Sequence, residues 1–592
     1  MMVPLEVVVA VSLAVALAAS ILTLRSVDAS SHRWANQLQS RLLFGVPWGT
    51  LVVVAFVLAV YLFVQDGITD FDNPVVLPYR AWSYFYPLGM ATASFTHASS
   101  SHLIGNLVGT LVAAPIAEYA WGHYPRNRKE ESTESWLTNP WIRAFVVFPL
   151  AVIAIGLVVS LFALGPVIGF SGVVYAFAGF AIVRYPIATL VATIGVQSVV
   201  STTYRALTNA VFTYQAQPRP PSAPGWATTA VQGHALGFFL GVLLAVAVFS
   251  RRRYRPDPLH LWIALLVFAF SKGLWAIYWF EGGDTYVLFR GPGVVIVTAL
   301  AIVVTLAVVA SDRPLLPPSL RGQSAEPESS PARVERILEL GLGGPTADAR
   351  GRIRRLVRGS SSGSRVRDVT RKGAALAAVV LVVALISGPA IPANLFVPDA
   401  STNPDAAVEV RDYSVSYADG VENEMLSVVD VSAFGQNTTV ESSGVVVSSA
   451  DRNLWIEEVS AQRLAFDGET TVELGGPGWR ETVHVEREGW AAAGNDTAYQ
   501  VWLWADADDR QLAHTSEPVR ADVRIEGRNV TVVPGDDGAF TLEVEGPGDA
   551  VSSVPLPAEN ATAETNGLTF EHDDGTIYAT TNGTKVPVAS EE

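Results

Sequence analysis

The stretch Gly169-Phe170-Ser171-Gly172-Val173-Val174-Tyr175-Ala176-Phe177-Ala178-Gly179-Phe180 sets a hydroxyl between glycines at the mouth of an apolar helix. A helix N-terminus offers unpaired backbone N–H groups and the positive end of the helix dipole, which suits an oxyanion. Apolar runs of this kind recur along the chain and decide its class. With 592 residues, 50% of them hydrophobic, and a mean hydropathy of +0.31, the protein is too long for one domain and too apolar for a soluble one.

Ten runs read as membrane spans: about Leu5–Leu24, Phe44–Val64, Ala98–Ala120, Ile142–Leu164, Val167–Arg184, Pro186–Thr203, Ala227–Phe249, Leu259–Phe280, Gly293–Ala310 and Gly373–Phe396. The first lacks a basic n-region and is followed by Arg25, so it reads as a helix with its N-terminus outside and not as a signal peptide. Arg25, Arg33, Arg126, Arg128, Lys129, the triplet Arg251-Arg252-Arg253 and the stretch from Arg313 to Lys372 then all fall on one side. The positive-inside rule makes that side cytoplasmic. The loop from Asp66 to Thr96 lies outside and carries the aromatic cluster Tyr79, Trp82, Tyr84, Phe85 and Tyr86, a composition suited to a bilayer interface.

There is no cysteine, which excludes disulfides, thiolate catalysis and Cys-ligated metals. The net charge of −16 is unevenly spread: from Asp399 onward 37 acidic residues face 10 basic ones, whereas 312–372 hold 13 basic residues. The segment 312–372 reads as a flexible cytoplasmic linker whose charge fixes topology; the alternative is short basic helices at Ala332–Leu340 and Arg350–Val357 lying on anionic lipid. Lysine occurs only four times. An acidic, Lys-poor, Cys-free exterior resembles proteins of salt-loving archaea, so a halophilic protein is expected. Beyond the last span, alternating runs such as 407–410, 471–474, 482–485 and 499–504 separated by Gly, Asp, Asn and Pro read as one or two β-sandwich units. The sequons at Asn437, Asn495, Asn529, Asn560 and Asn582 fall only in this segment, which fits an exterior, glycosylated domain.

Three stretches carry candidate chemistry. The first is His97-Ala98-Ser99-Ser100-Ser101-His102-Leu103-Ile104-Gly105-Asn106, where His102 and Asn106 share a helix face. The second is the Ser171 segment. The third is Gly233-His234-Ala235-Leu236-Gly237-Phe238-Phe239-Leu240-Gly241. All three helices enter from the outside. At a rise of roughly 1.5 Å per residue, Ser171 lies about 6 Å and His234 about 10 Å below their expected helix starts, so the two side chains can meet. Gly237 and Gly241 continue the His234 face, and Tyr175 and Gly179 continue that of Ser171, which permits close helix approach. A serine is a weak nucleophile until a base takes its proton, and His234 is the candidate base. The Ser171 N–H, His102 and Asn106 can stabilise the resulting oxyanion.

In this order and at these spacings, Phe95-Thr96-His97-Ala98, His102-Leu103, Asn106, Gly169-Phe170-Ser171-Gly172, Tyr175 and His234 with Gly237 and Gly241 resemble the rhomboid family of intramembrane serine proteases. Glu118 also matches a family position. The resemblance covers about Phe44–Ser250. It implies a six-helix core, a Ser171–His234 dyad with no acidic third member, an oxyanion site of His102 and Asn106, and Tyr175 packed on His234. It further implies cleavage of membrane-anchored substrates in or just outside the outer leaflet. The family often has a Trp-Arg pair in the first loop, where this chain has Arg80-Ala81-Trp82-Ser83.

The expected fold is thus a polytopic α-helical membrane protein: a rhomboid core of six helices plus about four extra helices, followed by an all-β, sandwich-like extracellular domain. Its parts are an extra helix and cytoplasmic loop (1–43), the protease core (44–250), two additional helices (251–311), a basic linker (312–372), a last helix (373–396) and an acidic β domain (397–592). Gly169, Gly172, Gly237, Gly241 and Tyr175 are supporting residues; His97 reads as structural and Glu118 as a fixing acid, not a catalytic group. Lys272 reads as snorkelling to the outer surface, and Trp502 and Trp504 as sheet face or core. No metal or organic cofactor is implied. Expected partners are membrane-anchored protein substrates, the lipid bilayer and, through the β domain, cell-envelope components; no nucleic acid is expected. The expected location is the cell membrane, multi-pass. The competing function is a catalytically silent rhomboid-like protein that binds membrane helices or anchors the surface domain. A transporter would need paired charges around a midplane site, and Lys272 alone does not supply them.

Overall fold

The structure is a computed structural model that describes residues 5–27, 31–124, 136–209, 213, 216, 218–252, 254–282, 285–311, 313, 370–395, 407–422, 441–546 and 550–592. The expected flexible linker between Arg313 and Thr370, with the alternative of two short basic helices there, and the sequon at Asn437 lie outside the described residues.

Among the described residues ten apolar helices follow one another: α1 Leu5–Val27, α2 Trp48–Val64, α3 Ser100–Trp121, α4 Pro140–Leu161, α5 Ser171–Arg184, α6 Pro186–Thr208, α7 Val231–Arg251, α8 Pro258–Ser271, α9 Arg290–Val309 and α10 Arg371–Leu395. Among the described residues α3, α4, α6, α7, α9 and α10 are long and apolar enough to cross a membrane; Val7–Ser20 within α1, and α2, α5 and α8, are shorter apolar helices. The protein is a multi-pass membrane protein with an appended β domain.

Local chemistry sets the helix ends. Ser99 caps α3 by accepting from the His102 N–H at 3.2 Å, and Gly122 closes it with φ +77°. Asp257 caps α8 ahead of Pro258. Two expected ends are corrected. Span five does not begin at Val167, because residues 163–170 form an irregular segment and α5 starts at Ser171 itself. Span eight does not reach Phe280: α8 stops at Ser271, Gly273 adopts φ +71°, and a hairpin of Tyr278–Gly282 with Thr285–Leu288 follows. The aromatic and β-branched residues there favour a pleated strand over helix.

Two cores divide the bundle. One joins α2, α3, α4 and α5 around Val57, Tyr61, Ala114, Phe148 and Phe177. The other joins α5 and α7 to the extra helices α8, α9 and α10 around Ile182, Val242, Leu265, Val304 and Val379. Helix α5 lies between them, with Val173, Phe177 and Ala181 in the first and Ala178, Ile182 and Val183 in the second, whereas α3 reaches the second through Ala120 alone.

The β domain resolves the choice between one unit and two. An eight-stranded sheet is flanked by two four-stranded sheets, one spanning residues 408–460 and the other 519–555. Each small sheet closes its own core against the large one. The 14-residue strand Trp479–Ala492 runs through both, with Val483 and Val485 in the first core and Trp490 and Ala492 in the second. Alternation along single strands foretold the faces; that two sandwiches share one continuous sheet depends on pairing between distant strands.

Candidate active site

Helices α5 and α7 touch along backbones. A Cβ at Gly237 would run into the Gly172 carbonyl, one at Gly241 into the Ala176 carbonyl, and one at Gly179 into the Phe238 carbonyl. Only glycine allows this approach. It brings Ser171 Oγ and His234 Nε2 to 2.6 Å. The imidazole is 9% exposed, and Tyr175, one turn along α5, stacks on it with centroids 4.2 Å apart and 7° between planes. His234 Nδ1 is buried without a hydrogen-bond partner among the described residues. The serine begins its helix and the histidine is the fourth residue of α7. Both therefore lie shallower along their helices than the expected 6 and 10 Å.

Gly169 shapes the approach to Ser171. Its φ is +125°, a conformation that side-chain-bearing residues rarely adopt. A Cβ there would sit 2.5 Å from His102 Cε1 and 3.7 Å from Asn106 Nδ2. The His102 ring and the Asn106 amide, one turn apart on α3, therefore border the same bare patch of backbone. Asn106 is 7% exposed and its Nδ2 has no acceptor among the described residues. A buried amide donor left open beside Gly169, two residues before Ser171, is suited to receiving a carbonyl oxygen. As the first residues of α5, Ser171 and Gly172 add N–H groups without intrahelical acceptors.

The surroundings hold this arrangement in place. His97 is fully buried and its ring meets that of His102 edge-on at 5.2 Å. Its backbone is held by Gln65, whose Oε1 accepts from His97 N at 2.7 Å and whose Nε2 donates to His97 O at 2.7 Å. Ser94 and Ser160 bond each other at 2.8 Å, and Ser94 Oγ donates to Gly156 O at 2.7 Å. Sequence reasoning missed Gln65, Ser94 and Ser160: nothing in their spacing marks them, because their partners lie on other helices. A cavity of about 10 Å³ opens beside Ser171 and His234, walled largely by Ala81, Ala93, Ala163, Gly169, Ala230 and Gly233.

Two residues read from sequence lie elsewhere. Glu118, fully buried at the opposite end of α3, accepts from the backbone N–H groups of Gly49 and Thr50 at 2.8 Å each and from Thr50 Oγ1 at 2.7 Å. It also meets His123 Nε2 at 2.6 Å. It thus caps α2 and ties it to α3. Lys272 does not snorkel outward. Its Nζ donates to Gln197 Oε1 on α6 at 2.8 Å. Among the described residues no group of three His, Asp or Glu side chains could hold a metal ion.

Residues 84–251 match the family model of the Rhomboid domain. No curated protein and no solved structure matches the chain.

Proposed function

We propose that the chain, whose residues 84–251 match the Rhomboid domain model, is an intramembrane serine endopeptidase acting on membrane-anchored proteins. The observation that carries this reading is the 2.6 Å contact between Ser171 Oγ and His234 Nε2, set beside an open amide donor. His234 Nε2 takes the hydroxyl proton as Ser171 Oγ attacks the scissile carbonyl. The tetrahedral oxyanion is met by Asn106 Nδ2, the His102 ring and the Ser171 N–H. His234 then returns the proton to the leaving amine, and water repeats the sequence to release the acyl group. With no carboxylate on Nδ1, orientation of the base falls to the Tyr175 stack.

The depth of the site supports an intramembrane substrate. Helix α5 has 14 residues and so spans about 21 Å, short of the roughly 30 Å hydrocarbon core, which leaves Ser171 below the membrane surface when its far end reaches the other face. The small walls of the adjoining cavity favour small side chains next to the scissile bond. The arginine distribution makes the Ser171 end of the bundle the outer one, and the β domain, joined to the same end, is then extracellular, with Asn495, Asn529, Asn560 and Asn582 as glycan acceptors.

The test is covalent labelling by a fluorophosphonate in high-salt detergent. Labelling of the wild type that is lost in Ser171→Ala, and falls at least a hundredfold in His234→Ala, carries the reading. A folded wild type that takes no label would instead favour the silent, helix-binding alternative.

A further inference from the structure

The β domain meets the loop between α2 and α3 through residues 75–86. Trp82 Nε1 donates to the Arg452 carbonyl at 3.0 Å, Asn453 Nδ2 donates to Ser83 Oγ at 2.9 Å, and Arg452 Nη1 donates to Tyr86 OH at 2.6 Å. Arg452 is itself anchored inside the β domain by Nε and Nη2 bonds to Asp412 at 2.5 and 3.0 Å. Leu77 and Trp82 from the loop are members of the first β core, and Val75 fills the space above Gly475. Ion pairs Arg80–Glu458 and Arg480–Asp66, both at 3.6 Å, rim the contact and add little by themselves.

The same loop is bonded on its other side to the segment that presents the serine. Ala81 and Val167 exchange both backbone hydrogen bonds, at 2.9 and 3.2 Å, as an isolated bridge. Val167 stands four residues before Ser171. The Gly169 N–H donates to the Ala93 carbonyl at 2.8 Å. Asn394, at the end of α10 where the chain leaves the bundle, accepts from the Tyr84 N–H at 2.8 Å and donates to the Ala163 carbonyl at 3.0 Å. A single two-bond bridge is marginal in isolation. Lifting the β domain would return to water the loop surface around Trp82, 3% exposed, and Ser83, 1% exposed, at the cost of their apolar burial.

We propose that the β domain is a positioning device for the Ser171–His234 pair: Arg452 and Asn453 hold residues 82–86, which hold residues 163–169, which set Gly169 and Ser171 against His102 and His234. Arg452 is a positioning residue and not a catalytic one. The inference deepens the protease reading and rests on it for its functional consequence, while the mechanical coupling can be read separately.

The experiment uses the full-length chain in high-salt detergent and two readouts: amide hydrogen exchange of segments 79–86 and 163–170, and the rate of fluorophosphonate labelling at Ser171. Arg452→Ala is expected to speed exchange in both segments and to slow labelling roughly ten- to hundredfold, the scale of a small misplacement of reacting groups. Because the chain has no cysteine, the paired substitutions Ser83→Cys and Asn453→Cys can lock the contact covalently. Placed in the Arg452→Ala background, they should restore both readouts under oxidation and lose the effect on reduction. Unchanged exchange at 163–170 in Arg452→Ala overturns the proposal, as does slowed labelling that the covalent link fails to restore. Absence of label on the wild type refutes the protease reading; exchange then still decides the coupling, faster and link-reversible exchange upholding it and unchanged exchange overturning it.

Discussion

Tyr175 lies flat on the imidazole of His234, ring centroids 4.2 Å apart, and its hydroxyl donates to the backbone carbonyl of Lys272 at 3.0 Å. The base of the proposed dyad is thus oriented by a ring on the serine's own helix, and that ring is tied to α8, which lies outside the matched rhomboid segment. Removing the ring should let the imidazole turn. Stacks of this kind contribute about 0.5–1.5 kcal/mol, so Tyr175→Ala is expected to slow labelling of Ser171 by about two- to tenfold. Tyr175→Phe keeps the stack and should cost less. Labelling rates of the two variants, measured side by side, check the order.

The contact between α5 and α7 has a sharp steric requirement. Gly237→Ala drives a methyl into the Gly172 carbonyl, whereas a Cβ at Gly105 on α3 meets nothing within 4 Å. Gly237→Ala is expected to destabilise the fold by about 1–3 kcal/mol and to separate Ser171 from His234. Gly105→Ala should leave stability and labelling unchanged or slightly improved. Thermal unfolding in detergent distinguishes them.

Glu118 should matter for stability and little for chemistry. It stands sixteen residues, about 24 Å along α3, from His102. Glu118→Ala orphans two buried backbone N–H groups and the Thr50 hydroxyl, at about 1–3 kcal/mol for each group left unpaired. The expected result is a clear drop in melting temperature, with the labelling rate well below that temperature within about twofold of wild type.

Acid should loosen the β-domain contact through Asp412. Burial raises its pKa, but the hydrogen bonds and charge of Arg452 outweigh burial and hold the carboxyl below its ordinary value of 3.8. A depressed folded-state pKa contributes stability that is fully present above the unfolded value and is lost as pH falls through the folded one. The melting-temperature difference between wild type and Asp412→Asn should therefore stay constant from about pH 8 to pH 5 and close below roughly pH 4. A difference that persists at low pH would rule out the carboxylate as its source.

Much of the bundle was legible residue by residue. Ten apolar runs each became a helix, and Ser171, His234, His102 and Asn106 stand at one end of the bundle, since their spacing within each helix limits which faces they can share. Helix ends were less legible. The apolar run 167–170 reads as helix from hydropathy, yet its backbone is spent on Ala81 and Ala93, and Gly169 takes a conformation no helix uses. Lys272 shows the same difficulty. A lone cation at a helix end reads as snorkelling until the Gln197 amide on another helix is seen to accept from it.

By itself the sequence determined what is local: apolar length, the 3.6-residue repetition that groups Ser171 with Tyr175 and His234 with Gly237, and the two-residue alternation of the β strands. Each follows from covalent spacing and the burial of apolar surface, which act over a few residues. Only the tertiary structure decided that Trp82 meets Arg452, 370 residues away, that one strand serves two β cores, and that Ala81 pairs with Val167. Those bonds join backbone and side-chain groups common to every loop. Their pairing is selected by the shapes that bring them together, and no pattern within either segment announces it.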